Sequence, residues 1–262
     1  MINVINYWLL ILVLSNLILY LIFDHLLIPE KKWMHNIIKF FENSKIYLKY
    51  MIIIVIVVSI HLIEVNIIDQ IITDWIGIDF ANTIQNIEGN IVYNFSKLWQ
   101  SFFIYFFVII YIIIYPFTLW FSPYYFILKK NKKSIVILAY GLLIIYIFAM
   151  PFYLFLPVTN VYTFYNLDST LNSVIPNIER FFYFTTTQNN CFPSLHVAMS
   201  ILIARAGLLT KNKYYSFFLI FSMVSVIISV IYLAIHWITD IIFGIIFAIL
   251  AILILNKTIT VD

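Results

Sequence analysis

Cys191-Phe192-Pro193-Ser194-Leu195-His196-Val197-Ala198-Met199-Ser200-Ile201-Leu202 runs from a polar loop into an apolar stretch, and His236-Trp237-Ile238-Thr239-Asp240 repeats the pattern further on. Both histidines sit where a loop meets a long hydrophobic run, in a chain that has only 5 histidines. The surrounding composition is 64% hydrophobic and 10% charged, far from the mix of a soluble globular domain. Apolar runs of about 18 residues or more, the signature of membrane-spanning helices, recur throughout. Seven spans are expected: Ile5–Leu27, Ile46–Val65, Phe102–Phe121, Ile135–Leu156, Pro193–Leu209, Tyr215–Ile235 and Thr239–Asn256. The first has neither a basic leader nor a small-residue cleavage site, so it reads as a span rather than a signal peptide. The expected fold class is all-α: a polytopic membrane helical bundle, with a six-span core and an additional amino-terminal helix. Residues 1–262 are expected to form a single integral membrane domain, with residues 151–244 carrying the catalytic motifs. The single cysteine excludes an intramolecular disulfide.

Charge sets the orientation. Lys31, Lys32, Lys39, Lys45 and Lys49 flank the first connection, Lys129, Lys130, Lys132 and Lys133 the third, and Arg205, Lys211 and Lys213 the fifth; Lys257 follows the last span. Of the 15 cations only Lys97 and Arg180 fall on the other side, where Asp69, Asp74, Asp79, Glu88, Asp168 and Glu179 are expected in two large loops. The basic side is cytoplasmic by the positive-inside rule. The amino terminus is then outside, the carboxyl terminus inside, and His196, His236 and Asp240 share the outer face. The net charge of +3 reflects this topology and makes no case for nucleic-acid binding. The Glu30–Lys49 connection, with Trp33, Ile37, Ile38, Phe40 and Phe41 among charged residues, reads either as an interfacial amphipathic helix or as an ordinary loop.

Asp240 follows His236 by four residues, so on a helix the two side chains share one face, a turn apart. A carboxylate there accepts a hydrogen bond from one imidazole nitrogen and leaves the other unprotonated as a nucleophile. Without a partner, a carboxylate at the head of an apolar helix is costly. Taken alone, His-x-x-x-Asp is equally a satisfied polar pair at a helix end. Pro193 suits a first helical turn. Free backbone N–H groups there, the positive end of the helix dipole and the Ser194 hydroxyl make an anion site. His196 would stand beside it to protonate a leaving alkoxide. Pro-Ser-x-His alone is equally a helix start with an interfacial histidine. The two motifs together, on one membrane face, favour phosphate chemistry on a lipid headgroup.

Pro193-Ser194-Leu195-His196 with His236-Trp237-Ile238-Thr239-Asp240 resembles the type-2 phosphatidic acid phosphatase superfamily. That group includes lipid phosphatases, polyprenyl diphosphate phosphatases, inositol phosphorylceramide synthases and vanadium haloperoxidases. Leu195 before the histidine, with Val197-Ala198 after it, is closer to the inositol-phosphotransferase-like branch. The resemblance covers about Pro151 to Gly244, while the first hundred residues show only general membrane character. It implies His236 as the nucleophile forming a phosphohistidine, Asp240 as its orienting partner and His196 as the acid, with no cofactor and no metal. The implied substrate is a phospholipid or polyprenyl phosphate. Two family features are missing. Ser229 and Val230 stand where the third motif often has Ser-Arg, and no Arg-Pro dipeptide occurs. Pro157-Val158-Thr159-Asn160 lies where that Arg-Pro motif would fall, without basic residues. A transferring phosphoryl group needs cations aimed at its oxygens, so Arg180 is the expected phosphate ligand, together with Ser194 and Ser229, and Lys97 is its alternative.

Other features are weaker. His61 and Glu64 read as a local polar pair with a possible functional role, because intramembrane ionisable groups are functional candidates. Asp24, His25 and His35 read as interfacial, Cys191 as packing, and Asn94-Phe95-Ser96 as a sequon. Two competing classes remain: a His/Asp metal-dependent membrane enzyme, and a non-catalytic polytopic protein with a degenerate phosphatase fold.

Overall fold

The computed structural model describes residues 2–28 and 33–258, apart from the side chains of residues 2–8 and 181. Lys31 and Lys32 lie outside the described residues. The chain folds into α1 (Ile2–Leu27), α2 (Trp33–Ser44), α3 (Leu48–Ile63), α4 (Asp69–Ile76), α5 (Ala81–Glu88), α6 (Ile91–Ser96), α7 (Ser101–Ile109), α8 (Tyr115–Leu128), α9 (Lys132–Phe155), α10 (Val161–Phe164), α11 (Thr170–Val174), α12 (Ile178–Phe182), α13 (Leu195–Leu208), α14 (Lys213–Tyr232) and α15 (Ile238–Thr258). Two π-helical turns, Glu64–Ile68 and Ile110–Ile114, join α3 to α4 and α7 to α8 without a break. No strand occurs among the described residues.

Among the described residues six helical stretches are long and apolar enough to cross a membrane: Leu9–Leu27, Leu48–Ile76, Ser101–Leu128, Lys132–Phe155, Lys213–Tyr232 and Ile238–Thr258. The expected all-α membrane bundle is therefore present, and the protein is an integral membrane protein. Large apolar side chains such as Leu17, Val55, Phe102 and Ile249 point outward, as they do when the surrounding solvent is lipid. The expected second span runs further than Val65, so Asp69 and Asp74 are helical rather than in a loop.

The fifth expected span differs in kind. As α13 it has only 14 residues, about 21 Å of helix against about 30 Å of hydrocarbon. It packs against α9, α14 and α15, and Val197, Leu202, Ile203 and Ala206 are buried. Enclosed by protein, it need not reach from one lipid boundary to the other. The loop ahead of it, with Pro193 and Ser194, therefore dips into the bundle.

Polar contacts tie each end of the bundle. At the basic end Asn43 donates to the Ile127 and Leu128 carbonyls at 3.3 Å, Asn131 to Leu209 at 3.0 Å, and Asn212 to the Tyr125 hydroxyl at 3.0 Å. The Glu30–Lys49 connection contains a helix, α2. Asn36 and Asn43 face inward, while Trp33, Met34, Ile38 and Phe41 are exposed. Asp24 is buried but satisfied, since its carboxylate accepts from Asn36 at 2.9 Å and Tyr124 at 3.1 Å. At the opposite end Trp99 donates to the Tyr232 carbonyl at 2.6 Å, and α5, α6 and α10 to α12 close over the helix ends.

Candidate active site

His236 ends a turn that follows α14. The Val230 carbonyl accepts from the backbone N–H of both Ile235 and His236, and Ala234 adopts a left-handed φ of 56°. Trp237 is buried, and its indole donates to the Thr159 carbonyl at 2.9 Å. The polypeptide therefore enters α15 in one fixed direction. Asp240, fully buried, takes two hydrogen bonds on Oδ2: the Trp237 backbone N–H at 2.8 Å and His236 Nδ1 at 3.2 Å.

Those contacts decide the imidazole tautomer. The carboxylate only accepts, so His236 Nδ1 carries the proton and Nε2 is left with its lone pair. His236 Nε2 lies 3.4 Å from His196 Nδ1, and the remaining His196 nitrogen, Nε2, lies 3.0 Å from the Tyr111 hydroxyl. Tyr111, His196, His236 and Asp240 thus form one chain of polar contacts. Tyr111 comes from the second π-helical turn, and such turns gather at functional sites. It was missed in the sequence because nothing distinguishes it among 19 tyrosines.

Ser194 is the N-cap of α13. It is fully buried, and its hydroxyl accepts only a long 3.5 Å bond from Val197 N–H. Its backbone N–H donates to the Asp240 carbonyl at 3.0 Å, which locks the two motif loops together. The approach is so close that a Cβ on Gly244 would lie 2.5 Å from the Ser194 carbonyl oxygen. Tyr153 donates to the Pro193 carbonyl at 2.6 Å. At the head of α15 the Glu88 carboxylate accepts from the backbone N–H of Ile238 at 2.9 Å and from that of Thr239. Glu88 is a second residue with no sequence signal, since it acts from α5, far away along the chain.

A cavity of about 290 Å³ begins at His196 and His236 and runs between α3, α8, α9 and α13. Its wall is mostly apolar (Val57, Leu119, Leu138, Leu142 and Met199 among others), with His61, Tyr146 and Asn190 as polar points. A smaller cavity on the other side of the histidines is lined by Tyr111, Asn160, Tyr183 and Cys191. Asn160 belongs to the segment where the family's arginine motif was expected. Burial pushes the Tyr183 hydroxyl up to about 12, so it stays protonated.

His196, His236, Asp240 and Ser194 therefore converge as expected from the sequence. Three other candidates do not join them. Arg180 is exposed on α12, and Lys97 is exposed, bonded to Asn94 at 3.1 Å and lying over the Tyr93 ring. Neither lines a cavity. Ser229 is buried, with its hydroxyl donating to the Val226 carbonyl of its own helix at 2.8 Å. Among the described residues one cluster has metal-ligating chemistry: Cys191, His236 and Asp240, whose donor atoms lie within 4.8 Å of one another. Cys191 Sγ is 3.1 Å from both His236 Nδ1 and the Ile235 carbonyl. Burial pushes its thiol well above the ordinary range, with the Asp240 and Glu88 carboxylates adding to the shift.

A family model of the PAP2 superfamily matches residues 84–254. The chain is a member of the PAP2 superfamily. The match begins well before Pro151 and takes in α7, α8 and most of α9, which lie ahead of the Pro151–Gly244 stretch that carries the motif resemblance. Neither a curated protein nor a solved structure matches the chain. Membership of the PAP2 superfamily, with the membrane helices, gives the protein a phosphatase-type function in a membrane.

Proposed function

We propose that this PAP2 protein transfers phosphate from a lipid phosphate or diphosphate through a phosphohistidine on His236, at the outer face of a cell membrane. The observation that carries the reading is the His196–His236–Asp240 alignment at the mouth of an apolar cavity. His236 Nε2 attacks phosphorus and the P–O bond to the lipid breaks. His196, protonated on both nitrogens beside the bound phosphate, passes its Nδ1 proton to the leaving oxygen and becomes neutral with Nε2–H directed at Tyr111. Water or an alcohol then attacks the phosphohistidine, returns a proton to His196, and the N–P bond breaks. Asp240 stabilises the positive charge that grows on His236. The Tyr111 hydroxyl can donate to His196 Nε2 or accept from it, so it holds the ring in either protonation state. The 3.4 Å contact between the two imidazoles opens to admit the phosphoryl group; such contacts in a free site need not match the reacting geometry.

The apolar cavity supports a lipid substrate, because it starts at the reacting nitrogen and is walled by aliphatic side chains. The distribution of lysines supports an outward-facing site. Leu195 in place of glycine favours the inositol-phosphotransferase-like branch and hence transfer to an alcohol.

The test is phosphate release by the purified protein in mixed detergent–lipid micelles with EDTA present. Phosphatidic acid and polyprenyl phosphates and diphosphates would serve as donors, with and without inositol. Release by wild type and none by His236→Ala is expected. A second reading is favoured by the Cys191–His236–Asp240 cluster, which could seat a divalent transition metal. Activity abolished by EDTA and restored by a metal would establish that reading instead.

A further inference from the structure

Among the described residues no arginine or lysine lines either cavity beside His196 and His236, yet a transferring phosphoryl group needs donors on its non-bridging oxygens. Three basic side chains line the main cavity: His61, His196 and His236. The last two are engaged with each other and with Asp240. His61 comes from α3 and lines the same cavity as His196 and His236.

The surroundings of His61 are those of a donor. Its Nε2 lies 3.0 Å from the Thr185 carbonyl, an atom that can only accept. Its Nδ1 faces the Glu64 carboxylate at 3.6 Å. Glu64 is itself buried, 1% exposed, and held by Asn190 at 2.7 Å and Tyr146 at 3.5 Å. The Tyr146 ring meets the His61 ring edge to face. A buried carboxylate stands on the Nδ1 side of the ring, while Nε2–H points at the Thr185 carbonyl of a loop that also lines the cavity. Asn190 belongs to the same loop and leads directly into Cys191 and the first motif.

We propose that His61 binds the transferred phosphate, replacing the arginines missing from this chain. On binding, its Nε2–H exchanges the Thr185 carbonyl for a phosphate oxygen, and Glu64 holds the ring in place as a positioning residue. Tyr115, Tyr146, Tyr153, His196 and His236 are the other titratable groups that line this space among the described residues. The ligand class is a tetrahedral phosphate: the headgroup of a lipid phosphate, or free inorganic phosphate as product. This assignment rests on the phosphoryl-transfer reading of His236.

The experiment uses the full chain in micelles with inorganic phosphate and orthovanadate as probes. It compares inhibition constants and direct calorimetric binding for wild type, His61→Ala, His61→Gln and Arg180→Ala, each confirmed monodisperse. His61→Ala is expected to weaken phosphate binding and raise KM by about tenfold or more, with a smaller effect on kcat. His61→Gln, which keeps an N–H donor, should fall between it and wild type. Unchanged phosphate binding in folded His61→Ala, or a larger loss in Arg180→Ala, would overturn the assignment. If wild type binds phosphate in a His61-dependent way but releases none from any donor, the assignment stands and the catalytic reading falls. A wild type that neither binds nor releases phosphate overturns both.

Discussion

Two helices begin at this site, and their amino termini are finished differently. The head of α15 is closed by carboxylates: Glu88 takes the N–H groups of Ile238 and Thr239, and Asp240 takes that of Trp237. The head of α13 has no carboxylate and relies on the long contact from Val197 N–H to its own Ser194 hydroxyl. A weakly capped amino terminus still attracts anions, whereas one closed by carboxylates has already been satisfied. The difference divides the labour. On the proposed reading, the head of α15 is a rigid mount for His236, whereas the head of α13, whose Leu195 and His196 line the cavity, retains the positive potential that an incoming phosphate would feel.

The largest effects should come from the mount's cargo. His236→Ala is expected to lower phosphate release by about 10⁴-fold, as for loss of a nucleophile. Asp240→Asn should come close, at about 10³-fold, because an amide can donate to His236 and so leave the wrong nitrogen protonated. Equal, small losses from both variants would show that the α15 head serves only structure. Gly244→Ala tests how tightly the two heads are joined. The new methyl group would meet a backbone carbonyl rather than a flexible side chain, so one motif loop must move. A displacement approaching 1 Å costs about 10²-fold in rate, seen as a fall in kcat with the fold retained by circular dichroism.

Glu88→Ala sharpens the comparison from the other side. Leaving two partly buried N–H groups without their carboxylate should cost about 1 kcal/mol, read as a lowered thermal midpoint in micelles. Ser194→Ala, which removes one long contact, should cost at most about 1 kcal/mol but weaken phosphate binding. The reverse pattern, with Ser194 governing stability and Glu88 governing phosphate affinity, would exchange the roles assigned to the two heads.

Legibility in the sequence follows the same division. The spans could be read because lipid demands long apolar runs, and His236 with Asp240 could be read because four residues on a helix make one face. The heads' remote partners could not. Glu88 reaches α15 only through the packing of α5, and Tyr111 reaches His196 only because a π-helical turn aims it there. Neither has a sequence period or motif to mark it. Arg180 and Ser229 illustrate the converse: proximity in sequence to a motif placed one on an exposed helix and turned the other toward its own backbone. The brevity of α13 was also hidden, because Pro193–Leu209 is apolar enough to resemble a full crossing when it is in fact enclosed by other helices.

The smallest effect belongs to Cys191, which touches the mount without bearing load. Its thiol donates to the Ile235 carbonyl and borders His236 Nδ1, and its pKa is raised by burial and by neighbouring carboxylates. The thiolate is the reactive form. A raised pKa therefore keeps the thiol protonated through neutral pH, and reactivity should appear only as pH climbs beyond the ordinary thiol range. Iodoacetamide labelling followed by mass should be slow at pH 7 and accelerate with pH later than for a free cysteine, while Cys191→Ser retains activity to within about twofold, its hydroxyl replacing one modest hydrogen bond. Rapid labelling at pH 7 would place a thiolate beside Asp240. The head of α15 would then carry a second negative charge against His236, and the metal-site reading of Cys191, His236 and Asp240 would gain the ligand it needs.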